Sequence, residues 1–282
     1  MRTRVLKFSL KNGIFRSFRL RNEGTPRNYG VLQEPAVVFL FQLFIKMLYL
    51  LLLLIRKLLQ LFTIMGSVKA YSKREEKANS LTHAFGVVVA VVATMVLERR
   101  AIAANNGWAV VAFAIYGFGM IACMLSSAVY HFVQNPKTKA LLRHFDHASI
   151  YVLISASFSP VTLILLRNES FWGWGLFVLI WLVAIVGIGM SFRELKENNN
   201  LKTASYVFMG LLILIATKPL VNIALSENCP DVLYWLAAGG VFYIIGSFFY
   251  ALAKREFVHT VFHVFVLLGL VCHIVSAYLI PL

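Results

Sequence analysis

Acidic residues are scarce: 12 of the 282 residues are Asp or Glu, against 27 Lys or Arg, and charged residues of both signs make up only 14% of the chain. So little charge cannot clothe the surface of an ordinary soluble domain of this length. Cysteine is scarcer still. Cys123, Cys229 and Cys272 form an odd, scattered set, two of them inside apolar runs, which excludes a disulfide framework and a thiolate zinc site. Nothing suggests a DNA-binding fold, so the net charge of +15 reads as loop charge beside lipid headgroups, with no nucleic acid as partner. What the chain does have is apolar content, 60% of residues, with a mean hydropathy of +0.76.

A membrane-spanning helix needs about 20 mostly apolar residues. Seven such runs are present, near residues 81–97, 108–133, 145–166, 171–190, 203–225, 232–251 and 257–279. The loops between them are too short for another domain. The fold class is therefore an all-α integral membrane protein, a seven-transmembrane helical bundle. Pro160 and Pro219 fall inside the third and fifth runs, where bends are expected, since neighbouring helices can satisfy the carbonyls a proline frees.

Basic residues set the orientation. Lys69, Lys73, Arg74, Lys77, Lys137, Lys139, Arg143, Arg193, Lys196, Lys202, Lys254 and Arg255 flank one side of the bundle, and Arg99, Arg100 and Arg167 the other. Twelve against three places the start of the first span in the cytoplasm and the carboxyl end outside. Residues 1–64 fit this scheme badly. The run at 37–65 is apolar enough for an eighth span, yet crossing there would leave eight Lys or Arg of residues 1–36 outside. Three readings stand: a tethered interfacial helix flanked by Lys46, Arg56 and Lys57, an uncleaved signal-like stretch, or upstream sequence with Met65 as the native start. We favour the last, which makes 1–64 a basic and apolar extension and 65–282 the membrane domain.

Ionisable groups inside hydrocarbon are costly and mark function when they face the bundle interior. All seven histidines lie in or beside the spans. His259 and His263 sit one turn apart on the last span, with Cβ atoms about 6 Å apart, and can chelate one ion. His131 ends the second span with Ser127 one turn deeper, and Asp146 opens the third. Span directions bring His131, Asp146, His259 and His263 to the cytoplasmic end, where Glu76, Asn79 and His83 share one face of the first span. Plainer roles compete with this. Ser127 alone can pack helices and bond its own backbone, Asp146 can cap its helix or pair with Arg143, and Glu76 can be a capping or interfacial charge. His83 is balanced between lining the site and packing with Asn79, and His144 and His147 read as interfacial. His273, about 15 Å beyond His263, is too remote to be a ligand. Convergence of three histidines and a carboxylate from three helices favours a site.

Glu76-x-x-Asn79-x-x-Thr82-His83, Ser127-x-x-x-His131, Asp146, and His259-x-x-x-His263 ahead of Gly269 and His273 together resemble the hemolysin III family. That family is grouped with the progestin and adipoQ receptors, in a wider superfamily that includes the alkaline ceramidases. The resemblance spans residues 66–282. It implies that His131, His259 and His263 bind Zn²⁺, that Asp146 holds a metal-bound water, and that Ser127 stands just behind the ligands. Three protein ligands plus water is the open arrangement of catalytic zinc. Imidazole binds metal only when neutral, so affinity should fall with pH through the histidine range.

Three functions follow as expectations. One is a zinc-dependent hydrolase of lipid amide or ester bonds, with Asp146 as base and Ser127 aiding the oxyanion. Another is a non-enzymatic, receptor-like lipid-binding protein. The third, cytolysis by a pore, follows from the family name, but a pore needs polar stripes through the whole bilayer, and the outer halves of these spans are almost entirely apolar. Membrane lipid is the expected partner, and a bacterial-type plasma membrane the expected location.

Overall fold

The computed structural model describes residues 71–192, 200–251 and 255–282. The readings of residues 1–64 lie outside these. Among the described residues every regular element is helical, and seven segments are long and apolar enough to cross a bilayer. They are α1 (Lys73–Ala103), α2 (Gly107–Phe132), α3 (Pro136–Pro160, continued by a π turn over Val161–Leu165), α4 (Trp172–Ser191), a fifth built from α5 (Asn200–Leu211), a 3₁₀ turn (Leu212–Ala216) and α6 (Thr217–Ser226), then α7 (Asp231–Ala251) and α8 (Val258–Leu279).

Two helices begin well before their apolar runs. Ser72 caps α1, its hydroxyl accepting from the Glu75 amide at 3.2 Å, so the polar turn Lys73–Lys77 is already helical. Asn135 caps α3 through the amides of Lys137 and Thr138, and Pro136 occupies the first turn, where a missing N–H costs nothing. These turns lift Glu76 and Lys139 onto ordered helix. Both prolines coincide with departures from α geometry. Past Pro160 the chain takes a π turn, with Thr162 donating to the Phe158 carbonyl at 2.9 Å, and the 3₁₀ turn immediately precedes the segment holding Pro219.

α3 is the most deeply buried span. α2 packs closely along both α1 and α3, α7 packs along α8, and α8 returns against α1. One apolar core joins α1, α2, α3 and α8 around Phe113, Tyr116, Met120 and Leu270; the other joins α3 through α7 around Tyr151, Leu166 and Met209. Between α2 and α3 the backbones come so close that a Cβ on Gly119 would lie 2.3 Å from that of Ala156. Small residues at such a crossing allow the packing that holds helices together in lipid. Large apolar side chains such as Phe85, Met95, Phe118 and Val186 cover the outer surface, as a bilayer demands.

Candidate metal centre

The first turns of α1 and α8 are locked together. Phe257 takes a left-handed conformation (φ 64°) and its amide donates to Glu75 Oε1 at 3.1 Å, while the Ser72 hydroxyl donates to Glu256. One turn deeper, Thr260 donates to Asn79 Oδ1 at 2.6 Å. This fixes the rotation of α8 and turns His259 and His263 toward α1 and α2. His263 Nδ1 then meets the Asn79 carbonyl at 3.3 Å, and its ring stacks on His83 at 3.7 Å and 10°.

From α2, His131 enters the same space. One ligand nitrogen from each of His131, His259 and His263 lies within 4.8 Å of the other two, and all three residues are buried. The Nε2 atoms of His259 and His263 are 3.1 Å apart, close to the roughly 3.3 Å expected for two nitrogens at 2.0–2.1 Å on one tetrahedral ion. His131 Nδ1 bonds Glu76 Oε2 at 2.7 Å, leaving its buried Nε2 without a partner. The outward nitrogens of His131 and His263 thus donate to oxygens, which leaves the Nε2 of each ring as its lone-pair nitrogen. Three such nitrogens suit a divalent metal, and a carboxylate behind one histidine is the usual device for fixing tautomer and raising ligand basicity.

Glu76 is itself pinned. Its Oε1 lies 2.9 Å from Lys139 Nζ, which also donates to the carbonyls of Tyr130 at 2.9 Å and Val133 at 3.2 Å. Aromatic rings close the sides: Tyr71 lies 4.8 Å from the His259 ring and 5.7 Å from His131, Tyr130 4.7 Å from His131, and Tyr250 5.6 Å from His259. Burial, reinforced by the phenols of Tyr250 and Tyr130 and then by the carboxylates of Glu75 and Asp146, holds the Tyr71 phenol well above its ordinary pKa, so it stays a neutral hydroxyl.

The other residues singled out in the sequence divide. Ser127 is buried one turn before His131, and Asn79 is wholly buried as a scaffold for α8. His83 packs against His263, outside the three-histidine group. Asp146 also stands outside that group. Its nearest basic partner is His147 Nδ1 at 3.7 Å, and it acts electrostatically on Tyr71 and Tyr130, two residues that flank His131. His147 is buried, its Nδ1 on the Arg143 carbonyl at 2.7 Å. His273 bonds the Leu236 carbonyl at 3.2 Å, apart from the metal site. Lys139 and the three tyrosines were not legible as site residues: a loop lysine reads as positive-inside charge, and an interfacial tyrosine as a membrane anchor.

A family model described as "Haemolysin-III related" matches residues 71–274, from the first described residue to just past His273. The chain belongs to the haemolysin III family. It is 35% identical to hemolysin-3 of Bacillus cereus over 196 residues, 70% of this chain and 87% of that protein. It is 36% identical to the hemolysin-3 homolog of Bacillus subtilis (strain 168) over 199 residues, 71% and 91% of the two. The human monocyte to macrophage differentiation factor is 31% identical over 212 residues, 71% and 81%. The wider kinship of this haemolysin III protein is with the progestin and adipoQ receptors. All the motif residues from Glu76 to His263 fall within the matched span.

Proposed function

We propose that His131, His259 and His263 hold one zinc ion through their Nε2 atoms, and that the protein hydrolyses an amide or ester bond of a membrane lipid. The observation that carries this reading is the unpartnered, buried Nε2 of His131 beside the 3.1 Å pair of His259 and His263, with Glu76 fixing the opposite face of the ring. When bound, a zinc ion with three protein ligands polarises a carbonyl oxygen and lowers the pKa of water to about 7.

The chain's own residues supply the rest. Glu76 holds His131 against rotation, and Asn79 and Thr260 hold His263 and its helix. Asp146, reaching this end of the bundle from α3, accepts the proton of the water that attacks the carbonyl carbon and returns it to the amine or alcohol that leaves as the C–N or C–O bond breaks. Ser127 and the neutral Tyr71 hydroxyl donate toward the carbonyl oxygen as charge develops on it. The aromatic walls keep bulk water out. By the positive-inside rule this end faces the cytoplasm, and we place the protein in a bacterial plasma membrane.

One observation favours a second reading, a lipid-binding receptor-like protein that does no chemistry: the Asp146 carboxylate lies outside the three-histidine group. Pore-forming lysis, suggested by the relatives' names, is favoured less. The hydroxyls of Ser155, Ser159 and Thr162, deep in α3 and its π turn, are buried and bond carbonyls of their own helix. Metal content of the purified protein and fatty-acid release from ceramide-like and phospholipid substrates test the proposal together. Zinc near one per chain with release abolished in Asp146→Asn supports the hydrolase. Zinc with no release from any substrate supports the receptor reading.

A further inference from the structure

At the end of α1 opposite the histidines, the surface carries a feature the metal site does not use. A groove of about 420 Å³ runs between α1 and α8, walled by Val88, Val92 and Val96 on one side and Val271, Val275 and Tyr278 on the other. Its lining is almost wholly apolar, and the three α1 valines are 47–59% exposed. Both helices start at the histidine end, so the groove rises toward the C-terminal end of α1. From Val88 to Arg100 is about 18 Å of helix, slightly more than half of a hydrocarbon core about 30 Å thick. That is the depth of one leaflet.

Arg100 stands beside the groove, against its lining residue Tyr278. Its guanidinium lies 5.2 Å above the ring of Tyr278, its Nη2 donates to the Ile280 carbonyl at 2.8 Å, and its Nη1 is buried without a partner. No carboxylate among the described residues forms an ion pair with it. Glu98, two positions earlier, projects about 200° around the helix from it. Arg99 beside it is exposed and adds a second positive charge.

We propose that this groove binds one anionic phospholipid, with an acyl chain along the valines and the headgroup phosphate on Arg100. The apolar walls offer nothing to water, whereas an acyl chain fills them at no polar cost. The half-exposed guanidinium is a planar fork suited to phosphate oxygens, stacking on Tyr278 holds that fork beside the groove's end, and a phosphate drawing the fork outward would give the buried Nη1 the partner it lacks. Two adjacent arginines without a carboxylate partner favour an anionic headgroup over a zwitterionic one. The inference is independent of the metal site and of hydrolysis.

A photoreactive diazirine residue in place of Val92, in the full chain within bilayers of equal parts phosphatidylglycerol and phosphatidylcholine, tests this by mass spectrometry of the adducts. Phosphatidylglycerol adducts should exceed phosphatidylcholine adducts several-fold, and Arg100→Gln should bring the two close to parity while leaving metal content unchanged. Val275→Trp, which fills the groove and leaves Arg100 intact, should lower the number of phosphatidylglycerol molecules retained in native mass spectrometry. Equal adducts in the protein with Arg100 intact, or a preference that survives Arg100→Gln, would make the groove a mere apolar filler and overturn the proposal. Adducts to residues 37–65 or to a second copy of the chain, in place of lipid, would overturn it too.

Discussion

All three protons of the Lys139 ammonium are committed, two to the carbonyls of Tyr130 in the last turn of α2 and of its cap Val133, and one to Glu76. Lysine at a helix C-terminus is favoured by the dipole, and here the same contact orients the carboxylate that orients His131. Glu76→Gln keeps the size of the side chain but loses its charge, and is expected to weaken zinc binding by about 10- to 100-fold. Lys139→Met should weaken it in the same direction but less. Titration against a chelator measures both, and Glu76→Gln with undiminished affinity would remove the carboxylate from the site. His131→Ala, His259→Ala and His263→Ala should each abolish stoichiometric zinc. By contrast, His273→Ala should leave zinc in place and cost stability, about 2–4 kcal/mol for a buried ring lost from its cavity. The Gly239 backbone is packed so tightly against that ring that a Cβ there would lie 2.1 Å from it.

At the scale of the helix, hydropathy located seven spans and put the apolar run of the first near residues 81–97, with Glu76 and Asn79 read as lying on the same helix ahead of that run. The structure starts that helix at Lys73, because a capped polar turn at the membrane surface is as helical as the apolar stretch that follows. Ser72 with Glu75 three residues on was a cap signal in plain view. The pairing of Glu76 with Lys139 was not readable: the two lie 63 residues apart on helices whose relative rotation is set by small residues. Glycine shows where helices can come close but not which neighbour does so. Gly119 against Ala156 is the clearest case. Gly119→Ala should cost about 1–3 kcal/mol by forcing α2 from α3, read as a lower thermal midpoint in detergent with metal stoichiometry retained. An unchanged midpoint would mean that the crossing is looser than its geometry indicates.

For the whole molecule, an odd number of spans puts the first and last helical ends of residues 71–282 on opposite faces, and charge alone chooses which is which. Single cysteines at positions 137 and 255 should react with an impermeant maleimide only after permeabilisation, and cysteines at 99 and 167 from outside intact cells. The native thiols interfere little: all three are buried, and burial with Glu227 nearby raises the Cys229 pKa and keeps it a poorly reactive thiol. This topology bears on residues 1–64. None of the three histidines proposed as ligands lies there, the match to the family begins at residue 71, and the capped first turn of α1 holds its own contacts to the start of α8. A chain starting at Met65 should therefore insert, bind zinc at the same stoichiometry and show the same labelling pattern as the full chain. Loss of folded protein, or reversed labelling, in the shortened chain would show that the first 64 residues direct insertion, and Met65 would then be no start.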